Sequence, residues 1–349
     1  MTARIPRSDG PGIRAVLESV AAHLPDRYLS DVEIEEAISK ASCGFKPPSG
    51  ILRQLTGVRG VHVSPDGQQA SDLAVMAARK TLDECGVRPG DVDLLIFAAS
   101  SQDMVEPATG HIVAAKLGLE CPAFDVKNAC NSVLNAMEIT QALIATGGYR
   151  RVLVACGEAP SRCVRWSVSD AAAFARSFAS YGFSDAGAAL LWRASSVGEP
   201  PGRGFLGTEF AAVSSAWSAA VVEGGGTVHP DGGEHRFFRM DGVRMRQALR
   251  RLDAHPWRLL DQLGLRWDDF AVVGIHQVSV SDIDEVCSRR GIPRDRVIDT
   301  VSVEGNVASA SLPLQLARAM ERGRAAPGDL VALVGLAAGA SAGMAVIRL

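Results

Sequence analysis

The chain has 349 residues, 47% of them hydrophobic and 21% charged, with a formal net charge of -3. That length accommodates two similar halves around a shared core, and that balance fits a globular protein rather than a disordered one. The slightly acidic total lacks the basic footprint that nucleic acid requires and leaves only local basic patches to dock an acidic partner.

The first 20 residues, MTARIPRSDGPGIRAVLESV, hold no continuous apolar stretch, so no signal peptide is expected. Further on, residues 81–98 (TLDECGVRPGDVDLLIFA) match residues 259–276 (LLDQLGLRWDDFAVVGIH) at a constant offset of 178. Each copy reads as a helix closed by a glycine (Gly86, Gly264), a short turn, and an apolar strand, LLIFA or VVGI. The same offset carries VLVACG (152–157) onto LVALVG (330–335) and Asn128 onto Asn306. Between these lie the helical patterns SVLNAMEITQALIATG and SASLPLQLARAMERG. The expected fold is therefore α/β, two duplicated halves (1–195 and 196–349) with buried strands of mostly parallel character.

Smaller elements complete the pattern. AFDV (123–126), FSDAGAALLW (183–192) and RVIDTVSV (296–303) read as strands, and VGEPPGRG (197–204) and EGGGTVHPDGG (223–233) as loops. Residues 200–255 read as an insertion facing substrate or partner. Leu330 to Ile347 carry no charge over a length able to span a membrane, but the internal GLAAGASAG predicts a glycine-bent pair of buried strands instead.

The seven cysteines show no CxxC pair and no Cys/His ligand spacing, so neither a metal site nor a disulfide scaffold is expected, and a reducing, cytoplasmic setting fits. Cys130 stands out because it follows AFDV and opens a helix, where the helix dipole favours a thiolate. Cys43, Cys85, Cys121, Cys156, Cys163 and Cys287 read as small buried hydrophobes. His276 ends the strand VVGI where its repeat mate is Ala98, and a polar ring there needs a hydrogen-bonding reason; histidine suits proton transfer or donation to an oxyanion. The other six, His23, His62, His111, His229, His235 and His255, read as solvated residues of loops or helices. Asn306 lies at the matching strand–helix junction, either as a helix N-cap or as a second oxyanion donor. The glycine-rich GLAAGASAG adds close-approaching backbone N–H groups, so the N–H groups of Cys130 and Ala338 are candidates to hold a thioester oxygen.

NAC at 128–130, HQ at 276–277, GN at 305–306 and the terminal glycine-rich strand pair together resemble the ketoacyl-ACP synthase III branch of the thiolase superfamily. The resemblance runs from TGVRG (56–60) to the C-terminus. It implies a five-layered αβαβα fold, a homodimer, and substrates that are acyl and malonyl thioesters of CoA or acyl carrier protein, with no other cofactor. It makes Cys130 the acyl-accepting nucleophile and His276 and Asn306 the pair that stabilises the enolate left by decarboxylation. Two positions depart from the family pattern. Ile51 and Leu55 stand where members place a Trp and an Arg that clamp the CoA adenine, which favours a carrier protein as donor. Glu106, in QDMVEPATG, resembles the glutamate of head-to-head fatty-acyl condensing enzymes, where it reaches the partner subunit's site; it is a possible base for non-decarboxylative condensation, or else a loop or dimer-contact carboxylate.

The leading expectation is a Claisen-type condensing enzyme working in fatty-acid-like or specialised biosynthesis. The alternatives are acyl transfer from Cys130 to an alcohol or amine with His276 as base, head-to-head condensation through Glu106, and a non-catalytic scaffold partner.

Overall fold

Both copies of the repeat fold as the offset implies in the computed structural model, which describes residues 12–252 and 255–349. Most of the stretch read for a signal peptide thus lies outside the described residues. The first half contains strands β1 (Ala15–His23), β2 (Tyr28–Ser30), β3 (Gly60–His62), β4 (Leu94–Ala98), β5 (Ala123–Val126), β6 (Arg151–Glu158) and β7 (Ala186–Ala194). Its helices are α1 (Asp31–Ala41), α2 (Ile51–Thr56), α3 (Ala70–Cys85), α4 (Thr109–Leu117), α5 (Ser132–Ala145) and α6 (Ala171–Ser177). The remainder contains β8 (Gly204–Ala212), β9 (Ala220–Val221), β10 (Arg239–Met240), β11 (Phe270–Ile275), β12 (Leu330–Ala337) and β13 (Ser341–Arg348). Its helices are α7 (Gly242–Arg251), α8 (Arg258–Leu263), α9 (Val280–Arg290), α10 (Val301–Glu304) and α11 (Ser311–Glu321).

The repeated signals act through the same local chemistry twice. Helices α3 and α8 stop at Gly86 and Gly264, both in the left-handed region, where a side chain would be strained. A one-turn 3₁₀ helix follows each and leads into β4 and β11. In each copy an Arg–Asp pair, Arg88–Asp91 and Arg266–Asp269, closes that turn.

The strands form a five-stranded sheet, β1-β7-β6-β4-β5, and a four-stranded sheet, β11-β12-β13-β8. Helices α5 and α11 lie between the two sheets and touch both; α3 covers the outer face of the first and α8 packs on the second, giving five layers. Alternation along the second sheet divides its apolar residues cleanly. Val272, Val331, Leu333, Ala345 and Ile347 face the central core, while Val273, Ile275, Val334, Met344 and Val346 face outward under α8 and α9. Gly157 on β6 lets α3 approach so closely that a Cβ there would sit 1.8 Å from the Ala70 carbonyl oxygen.

Three expectations need correction. The sheets are mixed, not mostly parallel: β4 pairs in parallel with β5 and β6, and β11 with β12, but β1–β7, β6–β7, β12–β13 and β13–β8 are antiparallel. β13 follows β12 after a short turn, and β7 follows β6 after a longer connection that carries α6; each closing strand runs antiparallel to the one before it. RVIDTVSV is not a strand. The buried Gln277 side chain takes the place of a strand neighbour, accepting from the N–H groups of Thr300 and Val301 and donating to the Ile298 carbonyl, and α10 begins at Val301. Residues 204–212 are no insertion either; they are β8, paired along β13. Leu330–Ile347 forms the expected buried strand pair, and no helix among the described residues is long and apolar enough to cross a membrane.

Candidate active site

The β5–α5 connection places Cys130. Ala129 adopts φ 46°, and the Ser132 hydroxyl closes the turn by accepting from Asn128 N–H (2.9 Å) and donating to the Ala129 carbonyl (2.7 Å). Cys130 is half-buried as a residue, with its thiol enclosed. Its thiol is pushed up to about 12, first by burial and then by the Glu158 carboxylate. The expected thiolate at a helix N-terminus is therefore corrected: desolvation outweighs the helix dipole, and the group is held as a thiol.

His276 follows β11 directly and donates its backbone N–H to the Val334 carbonyl over 2.8 Å. The ring is 7% exposed, and its Nδ1 has no hydrogen-bond partner among the described residues. Burial lowers its pKa to about 4, so at neutral pH the ring is uncharged.

Asn306 is 4% exposed and pinned on three sides. Its N–H donates to Gly182 O (2.8 Å), its carbonyl accepts from Ser184 N–H (3.0 Å), and its Oδ1 accepts from Ala308 N–H (3.0 Å). The side chain thus makes a local turn rather than an N-cap on α11, and its amino group remains the donor to offer.

The Ala338 backbone lies in the turn between β12 and β13. Asn131, beside Cys130, donates from Nδ2 to Ser341 Oγ over 3.0 Å and binds that turn to the start of α5. Its Oδ1 also lies against Gly335, where a Cβ would come within 1.9 Å. Among the described residues the non-glycine positive-φ positions are Ala129, Ala308 and Ala340, at 46°, 49° and 51°. Each flanks one of the segments carrying Cys130, Asn306 or Ala338, and each conformation costs about 1–3 kcal/mol that the surrounding structure must hold in place.

Glu158 joins these segments and was missed in the sequence. Fully buried at the end of β6, it accepts from the N–H and hydroxyl groups of Ser100, Ser101 and Ser309. Ser100 and Ser101 follow β4, and Ser309 follows Asn306, so one carboxylate ties both halves together near the thiol. Its signal was available: an acidic residue directly after the apolar run VLVACG, placed like His276 after VVGI.

Among the other residues singled out in the sequence, Cys156 touches this network through Ser309. Glu106 is exposed on the β4–α4 loop beside the exposed Met104 and Val105. Cys43 is exposed rather than buried, while Cys156 and Cys287 are buried; the Cys156 Sγ lies 3.3 Å from Ser309 Oγ. Of the six histidines read as solvated residues of loops or helices, His23 and His62 lie in strands β1 and β3, His111 is exposed, and His23, His62, His229, His235 and His255 are half-buried.

Comparison with known proteins supports this architecture. Family models described as 3-oxoacyl-[acyl-carrier-protein (ACP)] synthase III match residues 124–214, and the C-terminal model of the same description matches 260–349. The chain is 34% identical over 339 residues to a beta-ketoacyl-[acyl-carrier-protein] synthase III of Cereibacter sphaeroides, covering 96% of this chain and 99% of the relative. It is 32% identical over 340 residues to the Dinoroseobacter shibae protein of that name, covering 97% and 99%. Among solved structures it resembles 3-oxoacyl-(acyl carrier protein) synthase III, FabH, of Pseudomonas aeruginosa, with 25% identity, a TM-score of 0.81, and 96% and 98% of the two chains covered. OleA of Xanthomonas campestris, solved with bound lauric acid and lauroyl-CoA, shares the fold at 24% identity and a TM-score of 0.86, with 96% and 99% covered.

Proposed function

Since this chain belongs to the 3-oxoacyl-[acyl-carrier-protein] synthase III family, and so is an acyltransferase of the condensing type, we propose that Cys130 accepts an acyl group from a carrier thioester and condenses it with a malonyl-type thioester. The observation that carries this reading is the Glu158 carboxylate, which acts on the Cys130 thiol and binds Ser309 three residues after Asn306, while Asn306 and an uncharged His276 are both buried. In the first half-reaction the thiol attacks the thioester carbon and the carrier thiol leaves, with Cys130 N–H and Ala338 N–H facing the carbonyl oxygen. In the second, loss of carbon dioxide from the malonyl thioester leaves an enolate. Uncharged donors in a water-poor pocket stabilise such an oxygen without being neutralised beforehand. The enolate carbon then attacks the acyl-enzyme carbonyl and Cys130 leaves.

The ring of His276 argues against transfer to an alcohol or amine. A base with a pKa near 4 takes a hydroxyl proton poorly at neutral pH, whereas a neutral ring suits hydrogen-bond donation. Glu106 is exposed within its own chain, so it reaches an active site only as a residue contributed to a second copy. A homodimer joined through the loop of Met104, Val105 and Glu106 would also cover those exposed apolar side chains.

An acyl carrier protein is the donor that the surface favours. An open groove of about 600 Å³ is lined by Arg176, Val221, Arg239, Met240 and Arg246, among others. Two residues before Met240, Phe238 packs on Phe183, which is bridged to Asn306. Helix α7 beside this groove exposes Arg244, Arg246, Arg250 and Arg251, a basic face for an acidic carrier. The seven unpaired cysteines suit a reducing, cytoplasmic setting. The test is the product bond. Acyl-enzyme mixed with malonyl carrier thioester is expected to release carbon dioxide and a 3-oxoacyl thioester in equal amounts; an ester or amide product without carbon dioxide would refute the reading.

A further inference from the structure

The segment between β9 and β10 has no apolar core of its own. From residue 222 to 236 no residue is buried, and Val222 and Val228 are 44% and 77% exposed. The only side chains of that segment that turn partly inward are Glu223, His229 and His235; the other half-covered residues are Gly224 and Gly232. These three side chains meet. Glu223 Oε2 lies 3.1 Å from His235 Nδ1, and the two imidazoles stack with centroids 3.4 Å apart and planes 4° from parallel. One donor atom from each of the three falls within 4.8 Å of the others.

The backbone holds the set in place. The His235 carbonyl accepts from the N–H groups of Glu223 and Gly224, and the His229 carbonyl from those of Gly225 and Gly232. Glu223 also receives a hydrogen bond from Arg239 on β10. A Glu–His–Arg cluster accounts for Glu223, His235 and Arg239, but not for His229, whose ring takes no hydrogen bond among the described residues and is laid instead on a second imidazole. A ligand shared by both rings accounts for all of them.

We propose that Glu223, His229 and His235 form a binding site for a divalent cation of the zinc class, which clips the β9–β10 hairpin. Two imidazoles and a carboxylate are a donor set zinc accepts, with bonds of about 2.0–2.2 Å, which places tetrahedral donors roughly 3.3–3.5 Å apart. Binding requires the donors to close by about 1 Å and the two rings to swing out of their parallel stack, so that one nitrogen of each points at the ion in its own ring plane. Arg239 donates to Glu223 Oε2, the oxygen that also faces His235, and serves as an outer partner that orients the carboxylate. The role is structural: the ion links Glu223 at the exit of β9 to the turn that leads back to β10, fixing Glu223, Arg239 and Met240 where they line the groove. This goes beyond the condensing reaction and is measured without any substrate. It was invisible in the sequence, which showed no ligand spacing and gave no reason to expect a metal; the turn, not the spacing, unites the histidines.

The test is metal content. Full-length protein stripped with a chelator is given zinc, passed through a desalting column and assayed by mass spectrometry of the metal. About one zinc per chain is expected in the wild type and in Cys43→Ser, and at least about tenfold weaker binding in His229→Ala and His235→Ala. No retained zinc in the wild type, or undiminished binding in both histidine variants, overturns the site. Cobalt added to the wild type gives a second reading that needs no variant to fold. Absorption typical of nitrogen and oxygen ligands is expected, and a thiolate-to-cobalt charge-transfer band would assign the ion to a cysteine and refute the proposal.

Discussion

Glu158 and Ser309, 151 positions apart in the chain, meet in the interior, where both the N–H and the hydroxyl of Ser309 donate to the same oxygen, Oε1, of Glu158. The contact joins the end of β6 to the segment that follows Asn306, and the same carboxylate raises the pKa of Cys130. One group thus ties the two segments together and adds to the effect of burial on the thiol. Replacing it by Gln keeps the volume, removes the charge, and turns an NH₂ group toward N–H donors. Glu158→Gln is expected to cost about 2–3 kcal/mol in urea denaturation, the scale of hydrogen bonds to a charged group. Its Cys130 thiol is expected to become more acidic than in the wild type, so alkylation at fixed pH speeds up. Unchanged alkylation would mean that the carboxylate does not act on the thiol.

Burial of His276 predicts a stability that depends on pH in a defined window. The folded-state pKa is about 4 against an ordinary value of 6.5, so between these values the unfolded chain binds more protons than the folded one. Stability from this group is therefore intact above about pH 6.5 and falls as the pH drops toward 4. The full loss is about 3 kcal/mol at 1.36 kcal/mol per unit. His276→Asn is expected to flatten this part of the profile in denaturation curves taken from pH 7 to pH 4; a profile as steep as the wild type's would show that the ring is not buried neutral.

The two donors separate the half-reactions. His276→Ala and Asn306→Ala are each expected to leave acylation of Cys130 within a few-fold, and to slow condensation by about 10²–10³, the cost of removing one oxyanion donor. Asn306→Ala also removes the acceptor for Ala308 N–H, so it should lose more stability than His276→Ala. Rapid quench with labelled acyl thioester reads the first step, and carbon dioxide release the second. Retained condensation in His276→Ala would contradict the role given to that ring.

Much of this was legible because duplication repeats its own local signals. The glycine stops at Gly86 and Gly264 and the strands LLIFA and VVGI are written in adjacent residues, and the structure reproduces them. What failed was decided at long range. RVIDTVSV has a strand's composition, but Gln277 captures its backbone groups from outside the segment. Cys130 has a helix-start position, but its acidity follows from burial and from Glu158, 28 residues away in the chain. Strand direction depends on how β6 turns into β7, which apolar runs do not encode.

Gly335 tests how tightly the halves are locked at the site. A methyl group there would meet Asn131 Oδ1 at 1.9 Å and Leu134 at 2.7 Å, both in the segment that begins at Cys130. Gly335→Ala is expected to destabilise the protein by about 1–3 kcal/mol, as overpacking does. It should also slow acylation by shifting the start of α5, read as a lower rate of acyl-enzyme formation with unchanged secondary structure by circular dichroism. Wild-type stability and rate would show that the contact yields freely.

The central claim is that Cys130 carries the acyl group, and intact-protein mass spectrometry tests it directly. The protein is mixed with a panel of acyl-CoA and acyl-carrier thioesters, with Cys130→Ala as the control. The account requires a mass increment equal to one acyl group that is absent in Cys130→Ala, larger with carrier-protein donors than with CoA. An increment that persists in Cys130→Ala, or no increment with any donor, would contradict it.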